Sequence, residues 1–194
     1  LVWVLVLLVI GRGLSKGVEA ANKVFLPLLV ILFLALVVRA LFLPGAVEGL
    51  NAFFTPNWSA LADPKVWLAA FAQIFYSLSV GFGIMLTYAS YLQRKSNLTG
   101  TALVAGFANS SFEILAGIGV FSAIGFMAHQ GGVSVSEVEG LTGPILSFVT
   151  FPKIISMMPG GPLFGVLFFS SLVLAGVTSL LSLLQVVSGG LQDK

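Results

Sequence analysis

Apolar residues fill this chain in runs long enough to cross a bilayer, and the polar positions between them mark its turns. Leu1 to Ile10 reads as the tail of one span, and a second run from about Ala20 to Phe42 covers a hydrocarbon core at roughly 1.5 Å per residue. A turn-rich segment, Pro44 to Pro64, leads to a third span from about 66 to 92. A fourth runs from about 98 to 127 and a last from about 163 to 188, joined by a loop of about 129 to 159. That loop is long and carries the apolar stretch Ile145-Leu146-Ser147-Phe148-Val149-Thr150-Phe151, so it is expected to fold back as a lid.

The third span breaks the pattern. Gln73-Ile74-Phe75-Tyr76-Ser77-Leu78-Ser79-Val80-Gly81-Phe82-Gly83 sets two serines and two glycines at mid-depth. A helix in lipid must satisfy its own backbone, so such an interruption is tolerated only where protein or a water-filled cavity receives the freed groups. Breaking a helix leaves N–H groups at the start of the second half and carbonyls at the end of the first, with opposite partial charges at one place. A zwitterion can use both. For Gly81 and Gly83 taken alone, close helix packing through small residues explains the pattern equally well.

Composition sharpens the membrane reading: 58% of residues are hydrophobic, 8% are charged and mean hydropathy is +1.08, too few polar side chains for a water-facing surface. The net charge of +2 does not point to nucleic acid, because the basic residues are scattered through short loops. Without cysteine there are no disulfides or thiolate metal sites. If the loop from Gly11 to Lys23 is cytoplasmic, Arg12, Lys16, Lys23, Arg94, Lys95 and Lys194 lie inside, against Arg39, Lys65 and Lys153 outside, which obeys the positive-inside rule. The chain opens at Leu1 inside an apolar run, and we expect it to be a piece of a longer protein.

The broken span, continuing through Thr87-Tyr88-Ala89-Ser90-Tyr91, resembles the sixth helix of the neurotransmitter:sodium symporters, which include the bacterial leucine transporter. Lys16-Gly17-Val18-Glu19, Phe107-Ala108-Asn109 with Glu113, Ser147-Phe148-Val149-Thr150-Phe151-Pro152 and Ala175-Gly176-Val177-Thr178-Ser179 fit the same family in the same order. The resemblance covers the whole chain, from the end of the family's fourth helix through its eighth. It implies an all-α integral membrane protein, part of an inverted-repeat transporter fold with one discontinuous helix. It further implies a multi-pass protein of the plasma (inner) membrane, not an enzyme. Its cargo would be sodium and a small molecule, an amino acid first of all, carried by alternating access without chloride. The helices that complete the pocket would lie elsewhere in the full-length chain, and membrane lipid would surround it.

Carried over position by position, the resemblance puts Tyr76, Ser77, Ser79, Gly81, Phe82, Ser179 and Leu183 around the substrate. It assigns Ser77 and Asn109 to a first sodium site and Ala175, Thr178 and Ser179 to a second, each only partly supplied by this chain. Sodium is a hard cation that takes oxygen ligands, and all of these positions offer neutral oxygens. Ala175, Thr178 and Ser179 stand at i, i+3 and i+4, so a carbonyl and two hydroxyls can share one helix face. The competing reading is that these hydroxyls bond back to their own helix. Glu113, a turn beyond Asn109, would supply negative charge and carry a proton on the return step. Gln73, Tyr91 and Phe148 match gating positions, and Gly17 with Pro27 matches a stretch able to unwind.

Three rival readings remain. A small amine or osmolyte could replace the amino acid. An intramembrane enzyme could pair a serine with His129, but no serine has an evident base. A purely structural subunit would have no reason to place Asn109, Glu113, Thr178 and Ser179 inside spans, where polar groups are costly.

Overall fold

The computed structural model describes residues 2–12, 14–93, 95–138 and 143–192. Arg94 and Lys194, both assigned to the inner side above, lie outside the described residues. The described chain is helical without a strand: α1 Val2–Gly11, a π-helical turn Leu14–Glu19, α2 Ala20–Leu41, α3 Ala46–Phe54, a 3-10 turn Trp58–Ala62, α4 Pro64–Ser77 and α5 Ile84–Ser90. Then follow α6 Leu98–Gly131, a 3-10 turn Val135–Glu137, α7 Gly143–Ile145, a π-helical turn Leu146–Thr150, α8 Phe151–Met157 and α9 Gly161–Gln192. Three helical runs, Lys16–Leu41, Leu98–Gly131 and Gly161–Leu191, are long and apolar enough to cross a membrane.

The helices fall into two compact units. The first comprises Leu1–Leu26, Asn57–Ser111 and Leu174–Lys194. Val6 of α1 and Val177 and Leu181 of α9 form its buried cluster, with Val9, Ile10, Ala21 and Phe25 packed around them. Gly17 belongs to this contact: a Cβ there would stand 1.9 Å from the Val9 carbonyl oxygen. Helix α4 starts with Pro64 in the first turn, and the Asp63 carboxylate accepts the Lys65 N–H at 2.9 Å. That is a capped N-terminus whose missing donor costs nothing.

The second unit comprises Pro27–Pro56 and Phe112–Val173. Ala40, Leu43, Ala123, Phe126 and Ile154 form its main core, and Ile124, Ala128 and Val138 a smaller one. Phe53 stacks on Phe121 at 4.8 Å, Phe151 on Phe168 at 5.0 Å, and the Arg39 guanidinium sits 5.7 Å over the Phe164 ring. Burying an aliphatic side chain such as Ile154 is worth about 1.5–3 kcal/mol against water, less where lipid is the alternative.

Two connections carry more structure than their turn residues suggest. The segment from Pro44 to Pro64 holds α3, entered from Gly45 in the left-handed region at φ 81°. This helix lies close on α6, since a Cβ at Gly49 would meet the Phe121 carbonyl at 1.8 Å. The span expected to end near 127 runs on to Gly131. It stops at Gly132 (φ 64°), with the Val133 N–H returning to the Ala128 carbonyl at 3.1 Å, a glycine-terminated C-cap. His129 is therefore helical, and its Nδ1 lies 3.8 Å from the Glu48 carboxylate. Within the expected lid, residues 143–157 are helical and anchor through buried Ile154 and Ile155.

Candidate functional site

The first unit brings most of the candidate residues together, starting with the break. Helix α4 ends at Ser77 and α5 begins at Ile84, with Ser79 at φ 54°, Gly81 at φ 88° and Gly83 at φ 77° between them. Three residues in the left-handed region within five positions cannot continue a helix. Ser79 carries a side chain there, which costs on the order of 1–3 kcal/mol and marks a strained position. The Val80 N–H bonds the Phe75 carbonyl at 2.9 Å and the Ser79 N–H the Tyr76 carbonyl at 3.1 Å, closing the end of α4. The first turn of α5 opens from Gly83, whose carbonyl accepts both the Thr87 N–H and the Thr87 hydroxyl. At about 1.5 Å per residue the two half-helices rise about 21 Å and 10 Å, each too short to cross a hydrocarbon core alone and together comparable to its thickness.

Tyr76 and Phe82 flank the break with their rings edge to face, 6.4 Å apart. Tyr76 is 73% exposed and Phe82 47%, so each offers an apolar face. Beside them the Asn109 side-chain amide of α6 donates to the Ser77 hydroxyl, joining two of the predicted ion ligands across helices. Gln73 is exposed on α4, one turn before Ser77.

On α9 the Thr178 hydroxyl donates to the Ala175 carbonyl at 2.9 Å, so two predicted ligand oxygens are adjacent. This is also the back-bonding that the rival reading foresees, with an i−3 partner. Ser179 takes no such bond among the described residues and is exposed, as is Leu183 one turn on. Tyr91 has a specific partner: Gln185 Nε2 donates to its hydroxyl at 3.1 Å. Glu113 and Phe148 belong to the second unit. Glu113 lies on α6 four residues past Asn109, and Phe148 is 65% exposed on the π-helical turn. His129, which the serine-enzyme reading would use, faces the Glu48 carboxylate.

The pairs Tyr88–Ser182 at 3.0 Å and Tyr91–Gln185 escaped sequence reading in part. Their signal was present as polar residues three apart on each of two apolar helices.

A discontinuous helix, a cross-helix hydroxyl–amide pair and an oxygen pair on a membrane-length helix stand together in one unit. The sequence pattern of the sodium:neurotransmitter symporter family matches residues 1–194. The chain belongs to that family. Among its relatives, an uncharacterized sodium-dependent transporter of Methanocaldococcus jannaschii is 44% identical over 100% of this chain and 39% of its own length. The sodium- and chloride-dependent creatine transporter 1 of Bos taurus is 38% identical over 91% of the chain and 28% of its own length. The sodium-dependent serotonin transporter of Drosophila melanogaster is 37% identical over 94% and 30% respectively. The chain thus spans well under half the length of the symporters it matches. Family membership makes this an all-α chain of sodium-dependent transporters, with three helices suited to a multi-pass arrangement.

Proposed function

We propose that the full-length protein is a plasma-membrane symporter that imports an amino acid by alternating access, coupled to sodium and independent of chloride. The observation that carries this is the break at 78–83, where the C-terminal end of α4 and the N-terminal end of α5 flank a strained turn beside the rings of Tyr76 and Phe82. Opposite partial charges at one point suit an ammonium and a carboxylate on one small molecule. In this reading Ser77 and Asn109 hold one sodium ion and Ala175, Thr178 and Ser179 a second. Gln73, Tyr91 and Phe148 work in the gates. Tyr76, Ser79, Gly81, Phe82, Ser179 and Leu183 shape the substrate pocket. Each ion is cargo, and the protein residues supply oxygens in place of water.

Glu113 decides the anion question. A carboxylate at membrane depth supplies the negative charge that a chloride ion would otherwise bring, and it can take up a proton once the sodium leaves. The test is uptake with chloride replaced by gluconate. Wild-type transport should persist, and Glu113→Ser should become chloride-stimulated. Loss of wild-type transport, or a folded Glu113→Ser protein indifferent to chloride, overturns this assignment.

A second reading keeps the mechanism and changes the cargo to a small amine or osmolyte. It is favoured by relatives named for creatine and serotonin. Competition of amino acid uptake by such compounds separates the two.

A further inference from the structure

We propose that Tyr88 is a positioning residue for the second sodium site, tying the inner half-helix α5 to the oxygens that would hold the ion. The inference rests on the ion role given above to Ala175, Thr178 and Ser179. Its basis is three hydrogen bonds within the first unit that link Tyr88, Ser182, Thr178 and Ala175, two of them meeting at Ser182 Oγ and the third leaving from the side chain of the residue whose carbonyl Ser182 bonds. The Tyr88 hydroxyl donates to Ser182 Oγ at 3.0 Å, Ser182 Oγ donates to the Thr178 carbonyl at 3.2 Å, and Thr178 Oγ1 donates to the Ala175 carbonyl at 2.9 Å.

The direction of each bond matters. Serine has one proton, and Tyr88 arrives as a donor, filling a lone pair of Ser182 Oγ and leaving its proton committed to the Thr178 carbonyl. Without Tyr88 that hydroxyl can rotate. The Thr178 proton in turn points to Ala175, which leaves the lone pairs of Thr178 Oγ1 available to a cation. Side-chain bonds of this kind to a helix's own carbonyls favour bending of the turn that carries them. The tyrosine therefore acts on the geometry of the ion ligands through Ser182, without touching the ion.

A second contact fixes how α5 lies on α9. Tyr91 accepts from Gln185 Nε2 at 3.1 Å, so the partners 88–182 and 91–185 advance by three on both helices, which run side by side in the same direction. Close approach is secured at Gly189, where a Cβ would stand 3.2 Å from the Tyr91 hydroxyl and 3.3 Å from Thr87 Cγ2. A half-helix held in this way by the ion-binding turn shares its equilibrium: sodium favours the docked α5, and a docked α5 favours sodium, by the same factor.

The test uses the full-length transporter and two readouts: the sodium concentration for half-maximal substrate binding, and sodium-induced protection of the amides of 84–90 from hydrogen exchange. Tyr88→Phe and Ser182→Ala should each raise the sodium requirement about threefold, the typical worth of one interhelical hydrogen bond in a bilayer. The double variant should be no worse than either single one, and Ser182→Thr should restore wild-type behaviour. Substrate affinity at saturating sodium should stay unchanged, while sodium protection of 84–90 should shrink. Thr178→Val is the control for the ion site. If Thr178→Val shifts the sodium requirement and neither Tyr88→Phe nor Ser182→Ala does, the role of Tyr88 is refuted and the ion site stands. If Thr178→Val leaves it unchanged, the ion site falls and this inference with it. Additive effects in the double variant refute the relay.

Discussion

Helix α6 and the broken pair α4–α5 are both rich in small residues, yet only one of them breaks. In α6 three glycines pack: a Cβ at Gly117 would stand 2.5 Å from the Phe53 ring, at Gly119 2.8 Å from Val37, and at Gly125 2.3 Å from the Gly45 carbonyl. None of these three has a positive φ. Gly81 is the opposite case, with φ 88° and no described atom within 4 Å of the Cβ position. These three glycines of α6 admit neighbours, whereas Gly81 admits a backbone angle. The comparison separates the two meanings that glycine has in a membrane helix, and it places Gly81 with the conformational one.

The largest effect expected from this contrast is at the aromatic walls of the break. Tyr76→Ala in the full-length protein should raise the substrate KM by the equivalent of about 1.5–3 kcal/mol, the worth of a buried aromatic contact. Uptake kinetics check it, and an unchanged KM would remove Tyr76 from the pocket.

The next prediction isolates the backbone angle by setting one substitution at two uncrowded glycines. Gly81→Ala and Gly106→Ala each add a methyl where no described atom lies within 4 Å. At Gly81 the added Cβ meets its own backbone at positive φ and should cost about 1–2 kcal/mol. At Gly106, inside α6, alanine is the better helix former and should be neutral or stabilising by up to about 1 kcal/mol. Thermal stability of the purified protein reads both. Equal effects would erase the distinction.

How much of this was legible in the sequence follows the same line. Runs of apolar residues announce α2, α6 and α9, because a bilayer demands length above all. The break was legible from Ser77, Ser79, Gly81 and Gly83 together, since no packing rule asks for that many small residues at one depth. Helix α3 was not, because Pro44, Gly45 and Pro56 dominate its surroundings and what fixes it is tertiary, the approach of Gly49 to Phe121. The continuation of α6 through His129 was hidden by a polar pair, His129-Gln130, whose histidine faces a carboxylate far along the chain. Among the candidate residues, Ser77 with Asn109 and Ala175 with Thr178 come together, but the bond from Tyr88 to Ser182 joins residues 94 apart, and the three-residue spacing on each helix does not say which helices pair.

The smallest effect lies away from both helices, at the turn following α6. The Glu137 carboxylate accepts the Ser134 N–H at 2.9 Å, and bonds from the Ser134 backbone and side chain hold its pKa below the ordinary value of 4.5. A lowered carboxylate pKa stabilises the turn at pH values above 4.5, and that support is lost as pH falls through the lowered value. Protection of the Ser134 amide, corrected for intrinsic exchange, should therefore fall as the pH drops below 4.5. Glu137→Gln should abolish that pH dependence; a wild-type turn indifferent to acid would contradict the assignment.

The central claim is that the break in α4–α5 is the substrate site of a sodium-driven importer, and one measurement meets it directly. The full-length protein is reconstituted into proteoliposomes with an inward sodium gradient, and amino acid uptake is followed with and without sodium, with potassium as the replacement. The account predicts accumulation above equilibrium that requires sodium and collapses when the gradient is dissipated. Uptake of equal extent in potassium, by a protein whose folding is intact, would contradict it.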